Sequence, residues 1–113
     1  MKQYLFTYGT LRQGYAPPEI AETVEKLNFV GGGFIYGILE EVGKYTSLIP
    51  GGKGKVFGHI YELPDEAEVL QKLDEYEGYN PQNPSESFYL RKESPVFING
   101  EEIICWIYQH NQK

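Results

Sequence analysis

Phe29-Val30-Gly31-Gly32-Gly33-Phe34-Ile35-Tyr36-Gly37-Ile38-Leu39-Glu40-Glu41-Val42 is the stretch whose reading decides the fold. Its aromatic and β-branched residues are strand-like, yet Gly31-Gly32-Gly33 and Gly37 interrupt them. Interior glycines mark bulges or sharp bends, as at the corners of a small barrel. The flanking segments fit that reading. Gln3 to Tyr8 predicts a first strand, stopped by Gly9. A loop from Arg12 leads to Pro17-Pro18, and Pro18 suits the first turn of a helix. Ile20, Val24 and Leu27 then recur at helical spacing, predicting a short amphipathic helix that ends near Asn28.

Downstream, Tyr45 to Ile49 and Lys55 to Leu63 read as strands, with Pro50 to Gly54 as the turn between them. Pro64-Asp65 opens the second helix, Asp65 and Glu68 resemble a capping box, and Gly78 is a C-terminal stop. Asn80 to Ser87 carries Pro81 and Pro84 and predicts an irregular loop. Phe88 to Glu93, Pro95 to Ile98 and Glu102 to Gln109 complete the strands, with Asn99-Gly100 as a two-residue hairpin turn. The expected class is α+β: a small curled sheet or β-barrel of five to seven strands with two flanking helices, residues 1–113 forming one domain.

Composition narrows the function. The 113 residues carry a net charge of −6, from ten Lys and Arg against sixteen Asp and Glu. Phosphate backbones are bound by clustered Lys and Arg, so this charge argues against nucleic acid, and equally against anionic membranes, as a main partner. Lys2 precedes an apolar run that ends at Thr7-Tyr8-Gly9-Thr10, too early for a signal-peptide core. No stretch approaches the ~20 apolar residues of a membrane helix. One cysteine, Cys105, cannot make an internal disulfide. The expectation is a soluble cytoplasmic protein, a monomer or weak homo-oligomer.

Several chemical signals fail on spacing. Gly51-Gly52-Lys53-Gly54-Lys55 lacks the phosphate-loop spacing. His59 and His110 do not combine with Cys105 into a metal site. Cys105 lies within Ile103-Ile104-Cys105-Trp106-Ile107 and reads as a core residue. No serine sits in a G-x-S-x-G elbow.

The second helix carries the informative anomaly. At about 100° per residue, Glu77 falls in angle between Leu70 and Leu73, on the stripe that should face the core. Glu68 and Glu75 point the opposite way, and Asp74 sits at the edge. Desolvation and the negative helix end would both raise the Glu77 pKa, toward the ~6–7 suited to a general base. Two plainer readings compete: the helix frays at Gly78 and Glu77 meets solvent, or Glu77 pairs with Arg91 or Lys92. A second candidate is Tyr8-Gly9-Thr10-Leu11-Arg12, where successive N–H groups at a strand end could hold an anion. A simple strand-ending turn is the alternative.

These pieces join in a resemblance. Tyr8-Gly9-Thr10-Leu11 resembles the YGTL/YGSL signature of the γ-glutamylcyclotransferase-like (AIG2-like) superfamily. Val56-Phe57-Gly58-His59-Ile60-Tyr61 is similar to its V-x-G-x-x-Y strand, and Leu73-Asp74-Glu75-Tyr76-Glu77-Gly78 to its L-D-x-x-E-G helix end. Tyr89-Leu90-Arg91 matches its Y-x-R, and Trp106-Ile107-Tyr108 its closing strand. The chain departs from relatives at Tyr15-Ala16-Pro17-Pro18, at the pocket mouth.

The resemblance implies a small barrel with a cavity at the end of the first strand. It makes Glu77 the catalytic acid/base, and Tyr8, Gly9, Thr10, Leu11 and Tyr108 the substrate-binding residues. The implied reaction is intramolecular aminolysis of a small-molecule γ-glutamyl amine, releasing 5-oxoproline and the amine with no metal or organic cofactor. Two other readings share the fold: a non-catalytic small-molecule binding module, and a biosynthetic lyase that removes a γ-glutamyl protecting group.

Overall fold

The computed structural model describes residues 2–9, 11–43 and 45–111. Strand β1 (Tyr4–Thr7) is followed by helix α1 (Pro18–Glu25), β2 (Asn28–Val42) and β3 (Tyr45–Glu62). Helix α2 (Ala67–Glu77), a short 3-10 turn at Pro84–Glu86, and strands β4 (Tyr89–Ile98) and β5 (Glu101–His110) follow. The strands close into a barrel in the order β1-β3-β2-β4-β5. Neighbours are antiparallel except at the closing seam, where Leu5 of β1 faces Trp106 of β5 in parallel.

The glycines of β2 act as the sequence suggests. The β2–β3 register shifts between Phe29 and Gly31 and again between Tyr36 and Gly37. Gly37 is required by close approach: a Cβ there would lie 2.5 Å from the Ile49 carbonyl oxygen. The expected turn at Pro50 to Gly54 is instead an excursion within one strand. Tyr36 pairs with Lys55 and Gly37 with Pro50, so residues 51–54 have no partner on β2. That merges the two expected strands into β3.

A second merger makes β4 continuous through Pro95. Near Pro95, β4 has a full ladder only with β5, because β2 meets it at the single pair Phe34–Phe97. A missing N–H is tolerated on a side with no ladder to join. The hairpin turn is as expected: Asn99 (φ 51°) and Gly100 (φ 78°) both take positive φ, as a type I′ turn demands. In α1, Pro18 occupies the first turn and buries Ile20 and Val24. The capping box is not formed. Helix α2 begins at Ala67 with Glu66 as N-cap and no side-chain cap bond, which moves Glu68 out of the reciprocal position.

Alternation sorts β1 and β5 between two cores. Phe6, Cys105 and Ile107 point into the barrel with Ile35, Leu48, Val56, Ile60 and Val96. Leu5 and Tyr108 meet Val24 of α1 and Val69 and Leu73 of α2 in a second cluster, which seats both helices against the barrel wall. Among the described residues no helix is long and apolar enough to cross a membrane.

Candidate active site

Glu77 is the last residue of α2, and its direction is set by the residue after it. Gly78 ends the helix in the left-handed conformation (φ 73°), and its N–H bonds the Glu75 carbonyl. The Gly78 carbonyl then accepts from the Phe88 N–H at 2.9 Å, tying the helix end to the start of β4. Glu77 therefore does not fray into water. It lines a cleft of about 530 Å³ with Thr7, Tyr8, Gly9, Leu11 and Tyr108, within the ordinary range for small-molecule sites. Burial is the cause that raises its carboxyl from 4.5 to about 7.

Nor does Glu77 pair with Arg91. The Arg91 guanidinium goes to Asp74, donating from Nε to Oδ1 at 2.9 Å and from Nη2 to Oδ2 at 3.3 Å. Asp74, expected at the helix edge, is buried at 5% exposure, and Val69 joins Leu73 on the inward face while Leu70 is only half-buried. The inward face is thus rotated toward Asp74. Glu68 and Glu75 are exposed, as the spacing predicts.

The other expected residues converge on the same cleft. The Tyr8 hydroxyl donates to the Tyr108 backbone carbonyl and accepts from the Leu48 N–H at 3.3 Å, locking the end of β1 to β5 and β3. Burial raises the pKa of the Tyr8 phenol well above its ordinary value. Gly9 is held by Arg12, whose Nε donates to its carbonyl at 2.8 Å. Gln13 anchors the loop beyond, its amide donating to the Leu27 carbonyl at 2.8 Å. Thr10 lies outside the described residues.

Three contributors escaped the sequence reading: Thr7, Asp74 and Arg91. Thr7 Oγ1 is buried at the cleft with no partner among the described residues. A lone threonine before the tyrosine carries no periodic signal. Asp74 and Arg91 stand inside quoted motifs, but their pairing links α2 to β4 and leaves no local mark. Cys105 is confirmed as core, its thiol pushed up to about 12 by burial. No group of three or more His, Cys, Asp or Glu residues suited to a metal ion occurs among the described residues. A larger hollow of about 960 Å³ lies beside α2, bordered by Asp65, Gln71 and Glu75, but Glu77 does not line it. A raised carboxyl in a half-apolar cleft is the better mark of a reacting site.

A small closed barrel with such a carboxylate at one mouth, beside a glycine-ended first strand, defines a recognisable class. Residues 5–113 match the sequence model of the family described as "Gamma-glutamyl cyclotransferase, AIG2-like", and the chain belongs to that family. A protein of Methanocaldococcus jannaschii named "Putative gamma-glutamylcyclotransferase" is 27% identical over 112 residues, covering 94% of this chain and 82% of its own. The crystal structure of a mouse AIG2-like protein superposes with a TM-score of 0.71 at 26% identity, over 96% of this chain and 76% of that one. YkqA from Bacillus subtilis shares the fold, with a TM-score of 0.72 at 21% identity. This chain, 98% covered, spans 36% of the YkqA chain.

Proposed function

We propose that the protein is a cyclotransferase acting on small γ-glutamyl amines, with Glu77 as general acid and base. The observation that carries this reading is one carboxylate, raised to about 7, lining a cleft at the tip of β1. The substrate supplies both reactants. Its α-ammonium, with a pKa of about 8, gives a proton to Glu77, and the freed amine attacks its own γ-carbonyl carbon. A five-membered ring closes as the new C–N bond forms. Glu77 returns the proton to the leaving nitrogen, and the old C–N bond breaks. The extra proton left on the ring nitrogen passes by way of Glu77 to the freed amine, so that 5-oxoproline departs as the neutral lactam and the amine as its ammonium.

A carboxyl poised near neutrality suits both transfers, since it gains and loses a proton with little cost either way. Ring closure within one molecule needs little beyond conformation, because effective molarities of ~10⁵ M or more are available to well-oriented groups. Backbone N–H groups of Gly9, Thr10 and Leu11 would hold the substrate carboxylate or the developing oxyanion. The Thr7 hydroxyl, buried and unpartnered among the described residues, offers a further polar contact there.

Glu77→Gln tests the assignment. It keeps the shape and removes the base, so 5-oxoproline release from a panel of γ-glutamyl amines should fall by ~10² or more while the fold persists. Wild-type turnover by the variant would overturn the reading.

A further inference from the structure

Among the described residues, Asp74 is the most deeply buried charged side chain, at 5% exposure. Arg91 grips both carboxylate oxygens, at 2.9 and 3.3 Å, and the Tyr108 hydroxyl lies 2.7 Å from Oδ1. The guanidinium is itself fixed, its carbon 4.3 Å from the centre of the Trp106 ring. A carboxylate held in this fork is an acceptor only, so the shared proton of the 2.7 Å contact belongs to Tyr108 and points at Asp74. A phenol has one O–H. With that proton committed, the Tyr108 oxygen has only lone pairs left to offer a ligand, and Tyr108 and Glu77 line one cleft.

We propose that Asp74 is a positioning residue that turns Tyr108 into a hydrogen-bond acceptor for the α-ammonium of the bound γ-glutamyl group. This rests on the function proposed above and adds the group that holds the attacking nitrogen before Glu77 takes its proton. Tyr108 takes no proton itself: its oxygen is a weak base, and its own proton stays directed at Asp74. Burial and the neighbouring Asp74 both oppose its ionisation, so the hydroxyl stays intact. Tyr108 and Glu77 line the same cleft.

The test separates recognition from turnover by using two ligands that cannot cyclise. S-benzyl-L-homocysteine carries the carboxylate, the ammonium and an apolar tail. 4-(Benzylsulfanyl)butanoic acid lacks only the ammonium. Titration calorimetry with each gives a preference ratio. The wild type should favour the amine ligand, and Tyr108→Phe should lower that preference about tenfold while leaving the deaminated ligand's Kd within about twofold. Asp74→Leu removes the oxygen that Arg91 Nε and the Tyr108 hydroxyl share and offers no other acceptor, which frees the phenol proton to turn into the cleft. The preference should fall again, and combining both substitutions should add nothing to Tyr108→Phe alone.

An undiminished preference in a folded Tyr108→Phe protein overturns the proposal. So does an equal further loss when Asp74→Leu is added to Tyr108→Phe, since Asp74 would then act by another route. If Asp74→Leu does not fold, Tyr108→Phe, which leaves the Asp74–Arg91 pair in place, decides alone. Absence of 5-oxoproline release with the preference intact would overturn the cyclisation and support the recognition.

Discussion

Glu77 shows how a single side chain takes its acidity from its surroundings. Its carboxyl is ordinary in water, and burial moves it from 4.5 to about 7. In the proposed reaction the base is the deprotonated form, so kcat/KM should climb as pH rises through about 7 and flatten above it, until the substrate ammonium complicates the profile near ~8. A profile already flat between pH 5 and 7 would remove Glu77 from the base role. The same displacement bears on stability. A carboxyl whose folded pKa is raised binds its proton more tightly in the native state. Its contribution is therefore fully present below about 4.5 and is lost as pH rises through about 7. The loss is on the order of 3 kcal/mol, since each unit of displacement corresponds to ~1.4 kcal/mol. Thermal unfolding of wild type and Glu77→Gln, followed from pH 4 to 8, should therefore diverge, with the variant relatively more stable at the alkaline end. Parallel curves would show that Glu77 is solvated.

At the scale of elements, the end of α2 is the critical joint. Gly78 holds a left-handed conformation, and a Cβ there would come 2.9 Å from the Phe88 Cβ. Gly78→Ala should cost about 1–2 kcal/mol of stability and lower kcat more than that cost explains, because the turn that aims Glu77 would shift. Unchanged kcat with a lowered Tm would mean that the turn matters for folding alone. The glycine stop, the proline start of α1 and the Asn99-Gly100 hairpin were all legible in the sequence, because each is decided by φ preferences of one or two residues. The orientation of α2 was legible only in part. Periodicity placed Leu73 and Glu77 inward, but left Asp74 at the edge because a buried charge makes sense only beside its partner. That partner, Arg91, is brought across from β4.

For the whole molecule, the barrel is unevenly stitched. The β2–β3 ladder runs nearly the full length of both strands. The β4–β5 hairpin joins the rest through Phe34–Phe97 on one side and Leu5–Trp106 on the other. Asp74, with Arg91 and Tyr108, adds a polar tie from α2 to this hairpin. Native-state hydrogen exchange should show β4 and β5 opening together at a lower free energy than β2 and β3. Arg91→Met should lower that opening free energy further, by about 3 kcal/mol or more, since it strands a buried carboxylate. Uniform protection across all five strands would contradict this division.

Sequence by itself determined what nearest neighbours settle: strand and helix identities, the bends at the β2 glycines, the turn residues, and the charge that disfavours polyanions. It also singled out Glu77, since a carboxylate on an apolar stripe is visible from spacing alone. Tertiary structure decided the rest: that residues 51–54 are an excursion rather than a turn, that β4 runs through Pro95, that Thr7 lines the cleft, and that Arg91 serves Asp74 instead of Glu77. Each of these depends on which strand lies alongside which, and a pairing between residues far apart in the chain leaves no periodicity to read.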